Sequence, residues 1–125
     1  MNRILCLSAI AALLSACYPT AEATERFPVA AKARVKNVDA FRDCMMDGLN
    51  PMEGWLTNRR DVQQEVRSDG TRIDTSVANG NVQLSRTEIF ATGDVQIRIA
   101  EYVNVALIDR GPEKEVFGKC ASAHQ

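Results

Sequence analysis

Among the 125 residues, 16 carboxylates, 15 basic side chains, four cysteines and one histidine are the groups with chemistry to offer. Asp39, Asp43 and Asp47 recur every four residues, which on a helix stacks three carboxylates in one stripe opposite Phe41 and Met45. Such a stripe would dock a basic partner or weakly hold a divalent cation. The plainer reading is a solvated face, eased by Arg42 and by Arg59 and Arg60, since like charges at this spacing weaken a helix only slightly. Arg86 and Glu88, with Glu101 diagonal to Arg86 across a hairpin, form a second cluster. Buried, they would line a polar pocket between sheet and helix, because an interior arginine must be fully paired. The competing readings are a bulge that turns Ile89 inward and the charges outward, or an uncovered end of the sheet. Trp55-Leu56 with Arg59-Arg60 has the composition of an interface patch, the alternative being a tryptophan packed over the end of the core. Met45, Met46 and Met52 would suit a soft metal, but core packing explains them more simply. Enzyme signatures are missing: no second histidine joins His124, and there is no G-x-S-x-G, no phosphate-cradling glycine loop and no metal motif. The expectation is a binding protein, without cofactor or metal, in which no residue is singled out as catalytic.

The elements that would position these groups are legible in the pattern. A helix is expected from about Asn37 to Asn50, with Asn37 or Asp39 capping its start and Gly48 or Asn50 with Pro51 ending it. Val38, Phe41, Met45 and Leu49 fall on its inner face, with Cys44 at the edge of that face. An earlier helix start is the alternative, because residues 29–35 are rich in alanine. Residues 51–60 connect. Asp69-Gly70 and Asn79-Gly80 then read as two-residue hairpin turns, and Thr92-Gly93 as a third. These turns set Val66 opposite Ile73, Val62 opposite Val77, Val77 opposite Val82, Thr75 opposite Leu84, Phe90 opposite Val95 and Val82 opposite Val103. One face then collects Val62, Val66, Ile73, Val77, Val82, Leu84, Phe90, Val95, Ile97, Ile99 and Val103, and the other is polar. Gly111-Pro112-Glu113 reads as the start of a short C-terminal helix that faces Val116, Phe117 and Cys120 inward, with a terminal strand as the alternative. The expected fold is α+β: an N-terminal helix on a four-stranded antiparallel meander, followed by a short helix. That element order is similar to cystatin-like folds. The similarity is one of order alone, no Q-x-V-x-G run is present, and inhibitory activity is not carried over.

The N-terminus reads as an address. Arg3 and the amino terminus supply positive charge, and Ile4 to Leu14 is an uncharged apolar run of secretory length. It ends in Leu14-Ser15-Ala16-Cys17, which resembles the lipobox of bacterial lipoproteins. The resemblance implies cleavage before Cys17 and attachment of diacylglycerol to its thiol. Several acyl chains on one residue give stable anchoring. Tyr18, where an acidic residue would favour inner-membrane retention, implies the outer membrane, facing the periplasm. The alternative is ordinary secretion by cleavage after Ala23, which gives a soluble periplasmic protein. The expected organisation is a signal peptide at 1–16, a lipidated tether at 17–27 reaching at most about 35 Å, and one domain at 28–125.

With Cys6 lost in the leader and Cys17 acylated, Cys44 and Cys120 remain, and in an exported protein such a pair most simply forms a disulfide. Metal ligation or a reactive thiol are the competing readings. Of the 15 basic residues only Arg3 lies in the leader, so the mature chain carries 14 against 16 acidic ones. That near-neutral balance gives no electrostatic case for nucleic acid. The functional expectation is a membrane-anchored accessory subunit of an envelope assembly, with a protein partner. An inhibitor or ligand-binding lipoprotein is the second reading, and a hydrolase a distant third.

Overall fold

The computed structural model describes residues 27–50, 60–77, 82–101 and 110–125. In chain order they form β1 (Val29–Arg34), α1 (Val38–Leu49), β2 (Asp61–Arg67), β3 (Gly70–Val77), β4 (Val82–Phe90), β5 (Asp94–Ile99) and α2 (Gly111–His124). Among the described residues the strands make one antiparallel sheet in the order β1-β5-β4-β3-β2. The α+β class and the helix–meander–helix order hold, with one strand more than the four expected. The addition is β1, in the stretch that offered an earlier helix start. Val29, Ala31 and Ala33 are half-buried and alternate with exposed Ala30, Lys32 and Arg34, the period of a strand.

Helix α1 begins where Asn37 caps it, its side chain accepting from the Ala40 N–H at 3.0 Å. Phe41, Met45 and Leu49 are buried on one stripe, so Met45 serves the core and Met46 packs against it. The last element is a helix rather than a strand. It opens with Pro112 and Glu113 in its first turn and buries Phe117, Cys120 and Ala121. The Phe41 and Phe117 rings meet edge to face at 5.6 Å. Both helices lie on one side of the sheet, where Val35, Ile73, Ile89, Val95 and Ile97 complete the core. Helix α2 runs through His124, whose carbonyl accepts the Lys36 N–H at 2.9 Å.

The strand register differs from the expected one at three places. Arg67 pairs with Gly70, so the first turn is Ser68-Asp69 and not Asp69-Gly70. Val66 therefore faces Thr71 and Val62 faces Thr75, a slip of two residues that leaves each side chain on its face. Gly70 is needed for close approach, since a Cβ there would stand 1.9 Å from the Ile89 carbonyl oxygen. Val77 does face Val82, but a bulge follows and Thr75 pairs with Ser85 instead of Leu84. The bulge turns Ile89 to the core and Phe90 away from it. The third loop is the three-residue Ala91-Thr92-Gly93, so Ile89 rather than Phe90 faces Val95. The two one-residue changes compensate, and Val95 and Ile97 face the helices as expected. Leu84, left over at the bulge, packs with Phe27, Val77 and Ala100 in a second, smaller cluster. The turn at 79–80 and Val103 lie outside the described residues.

Candidate functional site

Cys44 on α1 and Cys120 on α2 are joined by a disulfide, with Cα atoms 5.7 Å apart and a sequence separation of 76. The bond joins the two helices with Cys120 buried in the core and Cys44 half-buried at its edge. A shallow groove runs over it, lined among others by Asp43, Asp47, Val116, Lys119 and His124. The acidic stripe borders this groove. Arg42 stands 3.1 Å from Asp39 and 3.5 Å from Asp43, so two of the three carboxylates have a cation beside them. Among the described residues no three His, Cys, Asp or Glu side chains are grouped so as to hold a metal.

The sheet face turned away from the helices carries a lattice of charges. Asp74 and Arg86 sit directly opposite each other on β3 and β4, at 3.0 Å, with Arg86 only 4% exposed. Glu88 accepts from Arg98 at 2.5 Å and from Gln96 at 3.0 Å. Arg72 stands 3.8 Å from Glu65 across the β2–β3 pair. Three carboxylates thus pair with three guanidiniums, and Arg86 and Arg98, direct cross-strand neighbours, are each held by a carboxylate, Asp74 and Glu88. Arg72 is the strained member. Partial burial and the positive Arg86 and Arg67 lower its pKa from the usual arginine value, and its Nε is buried without a hydrogen-bond partner.

This face settles the place of the Arg86, Glu88 and Glu101 cluster. Arg86 and Glu88 do not line a pocket between sheet and helix, because the bulge turns them to the opposite face. Glu101 is exposed beyond the end of β5. Their partners, Asp74 and Arg98, come from neighbouring strands and were not singled out from the sequence. The signal was present, since residues two apart on a strand share a face, but it needed the bulge to be placed first.

A second buried pair joins the start of β2 to the start of α2. Arg60 donates from Nε to Glu113 Oε1, with the two side chains 1% and 0% exposed. Glu113 Oε2 is buried without a hydrogen-bond partner. Arg110 Nη1 donates to the Ala100 carbonyl nearby. Arg60 is therefore not part of an open interface patch: its guanidinium is drawn inward by the only carboxylate the first turn of α2 places there. Trp55 and Arg59, the rest of that expected patch, lie outside the described residues, as do Met52 and Cys17. Phe27, the first described residue, is fully buried at this same end of the sheet, where β1 starts and β5 ends.

No helix among the described residues is long and apolar enough to cross a membrane. Comparison with known proteins found no family model, no curated protein and no solved structure that matches this chain.

Proposed function

We propose that the chain is an exported lipoprotein, cleaved before Cys17 and held at the outer membrane by acyl chains on that residue. Its domain faces the periplasm and acts by binding a protein partner in an envelope assembly, without catalysis or cofactor. The observation that carries the reading is the Cys44–Cys120 disulfide. It joins the two cysteines left once Cys6 is assigned to the leader and Cys17 to the lipid, in keeping with an oxidising compartment. The dominant polar clusters also support binding over chemistry. Arg86, Asp74, Glu88, Arg98, Arg60 and Glu113 are each engaged with an opposite charge, which holds their geometry fixed.

Metabolic labelling with palmitate tests the anchor: label on the wild type and none on Cys17→Ala is expected, and label retained on the variant contradicts it. Crosslinking in intact envelopes tests the role: adducts with a defined envelope protein are expected, and a chain that captures no macromolecule contradicts it.

A further inference from the structure

The two edges of the sheet are unlike. β1 is broken by a register shift between Val29 and Ala31 and carries Lys32 and Arg34, so a second β1 laid against it would meet like charges. β2 has neither defence. Its seven residues pair with β3 without a register shift, it has no proline, and among the described residues it has no neighbour on its other side. It also overhangs the helical layer: residues 63–67 are all exposed, and Val66 is 75% exposed on the face that elsewhere is core.

We propose that β2 is the self-association edge of this protein, pairing antiparallel with β2 of a second copy to make one continuous sheet across a two-fold axis. The occupant is argued from the strand's own sequence, Asp-Val-Gln-Gln-Glu-Val-Arg. A two-fold axis normal to the sheet requires side chains of the same face to pair, and so positions of equal parity. Centred on Gln64, that pairing sets Asp61 against Arg67, Val62 against Val66, Gln63 against Glu65 and Gln64 against itself. Each symmetric pair is complementary: opposite charges, apolar with apolar, amide donor with carboxylate. Shifting the axis by one residue sets Asp61 against Glu65 in one direction, or Glu65 against Glu65 in the other. Of these three registers, which keep most of the strand paired, only the centred one has no like charges.

A second observation agrees. Asp61 and Arg67 face Ser76 and Gly70 within their own sheet, and among the described residues neither makes an ion pair. The two-fold supplies each with the other. Val66, exposed alone, gains the partner's half-buried Val62. The main chain contributes about six to eight hydrogen bonds over seven residues.

Gln64→Cys in the full chain, expressed in the envelope and read on a non-reducing gel, should give a disulfide-linked homodimer, because Gln64 meets itself at the axis. Lys32→Cys on the opposite edge should give none. Adding Asp61→Arg to Gln64→Cys should lower the dimer yield about tenfold, and adding Arg67→Asp as well should restore it. Restoration also shows that the strand still folds. Equal crosslinking at positions 64 and 32, no homodimer at position 64, or failure of the reciprocal swap to restore the yield would each overturn the proposal. So would a Gln64→Cys adduct with a foreign protein in place of the homodimer.

Discussion

At the scale of residues, burial separates the ion pairs that matter from those that do not. Arg34–Asp94, with side chains 74% and 60% exposed, is screened by water; Arg34→Ala is expected to change stability by less than about 1 kcal/mol. Arg86 is 4% exposed and Asp74 28%. Asp74→Ala strands a desolvated guanidinium and should destabilise by about 2–3 kcal/mol in chemical denaturation. Glu113→Gln removes the charge from beneath a fully buried Arg60 and should destabilise by about 3 kcal/mol or more. Equal effects from Arg34→Ala and Asp74→Ala would mean that the lattice is not desolvated. Sequence marked Arg86, Glu88 and Arg60 as residues needing an explanation, but not their partners. Pairing partners come from other strands or from a helix 53 positions away, and no local pattern encodes such a distance.

At the scale of elements, the legible ones were those whose signal is local. Asn37 with a 3.6-residue apolar repeat gave α1 nearly to the residue, and Gly111-Pro112-Glu113 gave α2. β1 was missed although Val29, Ala31 and Ala33 alternate with more polar or exposed positions, because alanine fits a helix as well as a strand. The slip in β4 has a different cause. A bulge adds one residue without any obligatory sequence mark, so the turn-based pairing put Arg86, Glu88 and Phe90 on the apolar face, and the register instead has the competing arrangement, with Ile89 inward. The loop after it does carry a mark. Gly93 has φ +96°, and a Cβ there would lie 2.6 Å from the Val35 carbonyl oxygen. Gly93→Ala should destabilise by more than about 1 kcal/mol, seen as a lower denaturation midpoint. An unchanged midpoint would contradict the loop geometry.

At the scale of the whole molecule, the disulfide and the sheet do different work. The sheet orders the middle of the chain through hairpins, contacts between near neighbours in sequence. The Cys44–Cys120 bond closes a long loop and ties the first helix to the last. Replacing both cysteines with serine should lower stability by about 4 kcal/mol in the chain-entropy model, read in the same denaturation experiment. That pairing was legible by elimination: with Cys6 assigned to the expected leader and Cys17 to the lipid, two thiols remained. The proposed anchor rests on Leu14-Ser15-Ala16-Cys17, a motif read from the sequence alone.

The central claim, that one exported molecule carries both an acylated Cys17 and the helix-bridging disulfide, is met most directly by non-reducing peptide mass spectrometry of the chain isolated from its native membrane. The account predicts an N-terminal peptide that begins at an acylated Cys17, together with a linked Cys44–Cys120 peptide. An unmodified N-terminus at Thr24, or free thiols at positions 44 and 120, would contradict it.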